Sequence, residues 1–249
     1  MNPQRQSVAL VTGGAGALGT VTGATLARRG DAVYLLDADG ARAEAGAADL
    51  ARQGLSVQGR ALDVTRAGDC DALIAEIAAR HDGGIDTLVN MAGVVRNAAF
   101  SRIADEDFEL TLKTHVSGTM HCMRAAGAAM RNRQYGRIVN ISSIAALGSV
   151  GGGAYGAAKG AIEALSRAAA IEWAARGITV NCVAPGLIAA GMTLGVPKEF
   201  QDAGVARTPM KRHGTAQEVA HAIAFFASPQ ASFITGQTLF VCGGLSIGF

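Results

Sequence analysis

The sequence predicts a single doubly wound α/β domain in which a parallel sheet of seven strands is flanked by helices. Short apolar runs alternate with longer helix-like segments along all 249 residues, without an intervening linker. That alternation is typical of strands joined by crossover helices, and a chain of this length can form one such domain. The predicted strands lie near residues 8–12, 32–37, 56–62, 85–90, 136–142, 178–183 and 237–242.

The first predicted strand leads directly into a glycine-rich loop. Gly13, Gly16 and Gly19 are followed by an amphipathic helix that extends to Gly30. Such a loop forms a dinucleotide site because glycines let the backbone approach a pyrophosphate and the helix N-terminus offers N–H groups and positive potential. We therefore expect a Rossmann unit at the start of the chain.

The second predicted strand ends in Asp37. A Rossmann unit places there the acid that hydrogen-bonds the adenosine ribose, and a 2′-phosphate would meet a like charge. No arginine lies in the glycine loop to offset that charge. Asp37 therefore favours NAD over NADP, the alternative being a solvated acid at a strand end.

Tyr155 and Lys159 form a candidate acid–base pair. They lie four residues apart in an alanine-rich segment, so they share one face of a predicted helix. An ammonium about 4 Å from a tyrosine can lower its pKa from about 10 toward about 7. The pair is therefore suited to proton transfer with a hydroxyl or a carbonyl.

Seven motifs in order resemble those of the short-chain dehydrogenase/reductase family, in its short single-domain form. They are Thr12 to Gly19, Asp63-Val64, Asn90 to Gly93, residues 138–143, Tyr155 with Lys159, Asn181 to Gly186, and Ile234 to Gly244. The resemblance implies an NAD-dependent alcohol dehydrogenase or ketone reductase that forms a homotetramer. It also implies that residues 1–249 are one dinucleotide-binding and catalytic domain.

The resemblance assigns roles to individual residues. Catalysis would involve Ser143, Tyr155 and Lys159, with His115 beside them. In this family Lys159 would also hold the nicotinamide ribose. The full cofactor site would comprise Gly13, Gly16, Leu18, Gly19, Asp37, Asp63, Val64, Asn90, Ala92, Gly93, Tyr155, Lys159, Pro185, Gly186 and Ile188.

The chain departs from the family pattern at several positions. A glycine, an asparagine, a threonine and an aspartate of the family are here Ala17, Met91, Ala190 and Cys242. His115 replaces an asparagine that helps to link the lysine to solvent. Imidazole can relay protons near its pKa of about 6.5; the alternative is a buried, hydrogen-bonded histidine that fills the asparagine's place.

Two serines compete for the catalytic position. Counting along the strand from Gly136 gives Ser143, whereas counting back from Tyr155 gives Ser142. A one-residue shift in a strand turns its side chains to the other face, whereas the glycine-rich loop over residues 148–153 can lose a residue at small cost. We therefore assign Ser143.

The family resemblance places a substrate lid over about residues 187–207. Apolar residues there and nearby predict an alcohol or ketone of apolar or aromatic character, although the same residues could pack the lid itself. The residues expected to contact the substrate are Ser143, Tyr155, Val94, Leu147 and Met192.

Composition excludes several other functions. The formal net charge is +2, with dispersed basic residues, so no nucleic-acid partner is expected. No run approaches the roughly 18 apolar residues of a membrane helix, and the N-terminus lacks the apolar region of a signal peptide, so we expect a cytoplasmic protein without a membrane partner. The histidines and cysteines show no metal-binding spacing, and no metal is expected.

Two alternative functions remain open. The chain could reduce 3-oxoacyl groups on an acyl carrier, with Arg131, Arg133 and Arg137 as the docking surface, although these arginines are also typical of a solvated turn. Outside catalysis, it could be a catalytically silent NAD-binding sensor. Intact Ser143 and Tyr155 favour an enzyme.

Overall fold

The computed structural model describes residues 5–191, 195 and 197–247. The strands are β1 (Val8–Thr12), β2 (Ala32–Asp37), β3 (Val57–Ala61), β4 (Thr87–Asn90), β5 (Gly136–Ile141), β6 (Ile178–Pro185) and β7 (Thr238–Val241). The helices are α1 (Ala17–Arg28), α2 (Gly40–Ala51), α3 (Ala67–Arg80), α4 (Asp105–Leu112), α5 (Gly118–Arg133), α6 (Gly153–Trp173), α7 (Lys198–Arg207) and α8 (Ala216–Phe226).

The strands form one parallel sheet in the order β3-β2-β1-β4-β5-β6-β7. The predicted single α/β domain with a seven-stranded parallel sheet flanked by helices is therefore confirmed. Strand order reverses between β1 and β4, and ligands of open α/β sheets bind at such a switch point, beyond the carboxyl ends of the strands.

Helices cover both faces of the sheet, because β1 carries apolar side chains on both of its faces. Val8 and Leu10 pack with α3, α5 and part of α6 on one face. Ala9 and Val11 pack with α1, α2 and α8 on the other face. Because successive side chains of a strand point to opposite faces, one apolar run serves two cores.

A buried polar chain ties helix α6 to the centre of the sheet. Asn90, Asn140 and Cys182 are register partners on three neighbouring strands. Asn90 Nδ2 donates to Asn140 Oδ1 at 2.8 Å, and Asn140 Nδ2 donates to Ser166 Oγ on α6 at 2.8 Å. Cys182 Sγ lies 3.1 Å from the same Ser166 oxygen. Buried polar groups are costly when unpaired, so this chain fixes α6 on the sheet.

Among the described residues, no helix is long and apolar enough to span a membrane.

Candidate active site

The glycine loop is packed so tightly that some of its positions have no room for a side chain. Gly13 has a φ of +67°, which favours glycine. A Cβ there would lie 2.9 Å from the backbone of Ala92, and a Cβ on Gly19 would lie 2.2 Å from the carbonyl oxygen of Gly13. The loop ends at the N-terminus of α1, whose first N–H groups are available to an anion.

A cleft of about 380 Å³ opens beside this loop at the carboxyl edge of the sheet. It brings together thirteen of the predicted site residues: Gly13, Gly16, Leu18, Gly19, Asp37, Gly93, His115, Ser143, Tyr155, Lys159, Pro185, Gly186 and Ile188. Seven further residues line the cleft without having been assigned a contact: Ala17, Arg42, Met91, Ile141, Ser142, Ala190 and Gly191.

The Asp37 carboxylate is held against the glycine loop. Its Oδ2 accepts a hydrogen bond from the backbone N–H of Ala15 at 3.1 Å, and its Oδ1 accepts one from the N–H of Asp39 at 3.1 Å. The carboxylate therefore lies at the end of β2 in a defined position on the cleft wall.

Ser143 and Ser142 follow the end of β5 and contact different residues of helix α6. The Ser143 hydroxyl hydrogen-bonds Tyr155, and Ser143 Oγ also accepts from the N–H of Ala145 at 3.1 Å. The Ser142 hydroxyl instead donates to Glu163 Oε1 on α6 at 2.7 Å. The structure thus pairs Ser143, and not Ser142, with the tyrosine.

Tyr155 and Lys159 share the cleft-facing side of α6, as their spacing predicts, but the expected effect on the tyrosine pKa is absent. Burial raises the pKa of Tyr155, and the Ser143 hydrogen bond opposes this only in part. Lys159 Nζ donates to the carbonyl oxygen of Ile141 at 2.6 Å and lies 5.4 Å from the tyrosine ring centroid. Burial also lowers the pKa of Lys159 to about 8, which reduces the fraction of the amine that is protonated.

His115 lies in a π-helical turn, Lys113–Ser117, between α4 and α5, and is 1 % exposed. Its ring packs edge-to-face on Tyr155, with centroids 5.4 Å apart. Its Nε2 lies 3.0 Å from the backbone nitrogen of Val94 and 2.8 Å from the carbonyl oxygen of the same residue. The histidine therefore anchors the helix turn to the segment after β4.

The imidazole satisfies this backbone only in part. A neutral ring nitrogen either donates or accepts, so Nε2 serves one of the two Val94 groups, whereas an asparagine amide could serve both. Nδ1 of His115 is buried without a partner among the described residues. Burial, reinforced by the Lys159 charge, lowers the pKa of His115 to about 4. The ring therefore stays neutral near pH 6.5, which favours the packing interpretation over the relay.

Four predicted cofactor residues lie outside the lining of the cleft. Asp63 accepts hydrogen bonds from the N–H and hydroxyl of Thr65 at 2.9 and 2.7 Å, which lowers its pKa. Val64 is buried. Asn90 belongs to the buried chain within the sheet, and the N–H of Ala92 donates to Thr12 Oγ1 at 3.2 Å. In this structure the last two support the strand ends that carry the site.

Fewer of the predicted substrate residues line the cleft. Val94 contacts His115 through its backbone but does not line the cleft, and Leu147 is 60 % exposed on the turn after Ser143. Met192 lies outside the described residues. Helix α7 contains no buried residue, and Phe200 within it is 64 % exposed. Helix α7 therefore does not bury its own apolar side chains, whereas Ile188 at the start of the expected lid is buried.

A cleft lined by a glycine loop together with Ser143, Tyr155 and Lys159 is the arrangement expected of a nicotinamide-dependent oxidoreductase. Comparison with known proteins gives the same class, because a family model described as enoyl-(acyl carrier protein) reductase matches residues 13–246. The chain belongs to the short-chain dehydrogenase/reductase family, whose members bind a nicotinamide cofactor.

Similar proteins act on several types of substrate. The chain is 36 % identical over 240 residues, 96 % of each chain, to (2S)-[(R)-hydroxy(phenyl)methyl]succinyl-CoA dehydrogenase subunit BbsD of Thauera aromatica. It is 37 % identical over 242 residues, 96 % of each chain, to the 3-oxoacyl-[acyl-carrier-protein] reductase FabG of Escherichia coli K12. A variant of actinorhodin polyketide ketoreductase, crystallised with NADPH, superposes with a TM-score of 0.93 at 31 % identity, covering 99 % of this chain and 100 % of that one.

The low pKa of His115 predicts how the free energy of unfolding changes at acidic pH. Since the unfolded histidine titrates near 6.5, the unfolded chain binds the proton first, and the stabilising effect of the neutral ring is lost as the pH falls from 6.5 through about 4. We expect His115→Asn to reduce the loss of unfolding free energy between pH 7.5 and 4.5 by about 2 to 3 kcal/mol. Urea unfolding across this range measures it.

The matched control is His221→Asn, since His221 is exposed on helix α8. The control should keep the wild-type dependence on pH. Parallel stability curves for wild type and His115→Asn would show that the native histidine is not held neutral.

Proposed function

We propose that the protein is an NAD-dependent oxidoreductase that transfers a hydride between a nicotinamide cofactor and a secondary alcohol or ketone of apolar or aromatic character. The observation that carries this proposal is the position of the Tyr155 hydroxyl in the cleft. It is hydrogen-bonded to Ser143 and lies one helical turn from Lys159. Relatives named as a dehydrogenase and as reductases support the reaction class.

The residues of the cleft fit the cofactor. A Cβ at Gly13, Gly14 or Gly19 would meet Ala92, Leu35 or the Gly13 carbonyl oxygen, so the loop makes the tight turn and close helix–strand packing that a dinucleotide-binding loop requires. The start of α1 offers N–H groups to the phosphates, and Asp37 would accept a hydrogen bond from the adenosine ribose. When bound, the nicotinamide accepts or supplies the hydride.

The side chains of the chain would move the proton. In ketone reduction, the Tyr155 hydroxyl donates its proton to the carbonyl oxygen, while Ser143 hydrogen-bonds and orients that oxygen. Lys159 would hold the nicotinamide ribose, and its ammonium would stabilise the negative charge that proton transfer leaves on the Tyr155 oxygen. Alcohol oxidation reverses each step. Because burial raises the pKa of Tyr155, the phenol is protonated at neutral pH, which is the form required for reduction.

A reductase of acyl-carrier substrates is a second candidate, favoured by the similarity to FabG. The three arginines expected to form its docking surface do not support it, and Arg131 packs over the Trp173 ring, 5.5 Å from its centroid. Arg137 is 4 % exposed and donates to the carbonyl oxygens of Gly136 and Gly177. Arg133 pairs with Asp86. These residues lie at the amino ends of the strands, the opposite edge of the sheet from the cleft, so this candidate rests on the relatives alone.

We also propose, from the family resemblance, a homotetramer in the cytoplasm. Large apolar side chains such as Ile171, Phe225 and Phe233 are exposed on the single chain, and contacts between copies would cover some of them. Light scattering coupled to size-exclusion chromatography measures the assembly.

Removing the phenolic oxygen should abolish turnover. We expect Tyr155→Phe to lower kcat at least about 10²- to 10⁴-fold, because general acid–base catalysis is lost, while NAD binding measured by calorimetry persists. A panel of secondary alcohols and ketones with both cofactors serves as the assay. Wild-type NAD binding without any turnover would identify a sensor, and a variant that keeps more than about a tenth of wild-type kcat would contradict the assigned mechanism.

The two adjacent serines provide a matched pair of variants. We expect Ser143→Ala to lower kcat by about tenfold or more, since the hydroxyl bonded to Tyr155 is lost. Ser142→Ala should mainly lower the unfolding free energy, by about 1 to 3 kcal/mol, because Glu163 loses its donor. Kinetics and urea unfolding are measured on both variants. The reverse pattern would transfer the catalytic role to Ser142.

Cofactor preference tests Asp37. We expect kcat/KM for NAD to exceed that for NADP by about a hundredfold or more, because NADP loses a charge-assisted hydrogen bond and adds like-charge repulsion. Asp37→Asn should lower the ratio of kcat/KM for NAD to kcat/KM for NADP. Equal use of both cofactors by the wild-type enzyme would remove Asp37 from this role.

A further inference from the structure

Arg42 reaches the glycine loop from a different element. It lies in the first turn of α2, and one of its terminal guanidinium nitrogens donates to the carbonyl oxygen of Ala15 at 3.3 Å. The N–H of the same Ala15 donates to Asp37 Oδ2 at 3.1 Å. A cation and a carboxylate therefore flank a single residue of the loop, and both line the cleft.

The backbone of Arg42 is fixed relative to Asp37. Asp39 caps helix α2 by accepting from the N–H of Arg42 at 3.1 Å, and the N–H of Asp39 donates to Asp37 Oδ1 at 3.1 Å. The Arg42 side chain is exposed, and within the described ranges no carboxylate forms an ion pair with it. Its charge is therefore not neutralised by a salt bridge.

We propose that Arg42 is a second determinant of cofactor choice, a cation placed to bind a phosphate on the 2′-oxygen of the adenosine ribose in opposition to Asp37. The inference rests on the dinucleotide cleft of the proposed function. A ribose 2′-phosphate beside Asp37 meets a like charge, but the guanidinium across Ala15 offers the donors and the charge that phosphate prefers. Asp37 then sets the preference for NAD, and Arg42 sets how much affinity for the phosphorylated form remains.

The test uses adenosine 2′,5′-bisphosphate and 5′-AMP as probes, with calorimetry on the full-length protein. We expect Asp37→Asn to raise affinity for the bisphosphate by about tenfold or more, and Arg42→Ala in the Asp37→Asn background to remove that gain. Affinity for 5′-AMP, which lacks the 2′-phosphate, should change by less than about threefold when Arg42 is replaced in either background.

The matched control is Arg52→Ala. Arg52 caps the other end of α2, is 72 % exposed and pairs with Asp49, so its loss changes net charge equally without touching the cleft. It should leave both affinities unchanged. If Arg42→Ala does not weaken bisphosphate binding in the Asp37→Asn background, or weakens it no more than Arg52→Ala does, the proposal is wrong while the cofactor cleft stands. If the wild-type protein binds neither 5′-AMP nor NAD, the proposed function itself fails.

Discussion

The site depends on how helix α6 is held against the end of strand β5. The hydrogen bonds that join the two elements include those from Lys159 to Ile141, from Ser142 to Glu163 and from Asn140 to Ser166. Their spacing covers about two turns of the helix. A shift of α6 along the strand would leave several buried polar groups unpaired at once, which is costly. The contact between Tyr155 and Ser143 is therefore set by the packing of two whole elements.

Neighbouring residues at the ends of the strands have different contacts and different proposed roles. The two serines that follow β5 contact different residues of α6, because Ser142 hydrogen-bonds Glu163 whereas Ser143 hydrogen-bonds Tyr155. The same sheet supports the cofactor side, where the N–H groups after β4 are held by Thr12 at the end of β1. A residue that anchors α6 and a proposed catalytic residue are thus adjacent in the chain.

Much of this arrangement follows from local sequence pattern, and the exceptions have a common physical cause. Strands β1 and β2 begin and end as predicted, because apolar runs and turn residues mark them. The order of motifs identifies Asp37, Tyr155 and Lys159. Properties that depend on packing between elements are not visible in this way. The pKa of His115 depends on its burial against Tyr155 and on the charge of Lys159. Arg42 contacts the glycine loop because the first turn of α2 packs beside that loop in the fold.

The separation of Asp37 and Arg42 from the proposed catalytic residues along the chain has an evolutionary consequence. Both lie in one strand–helix unit, β2 with α2, which ends at Ala51, whereas Ser143, Tyr155 and Lys159 lie in the later unit of β5 with α6. Recombination between genes of this family at any point between the two units would exchange the proposed determinants of cofactor preference while leaving the proposed proton-transfer residues intact. On these proposed roles, the choice of cofactor and the machinery for proton transfer can be inherited separately.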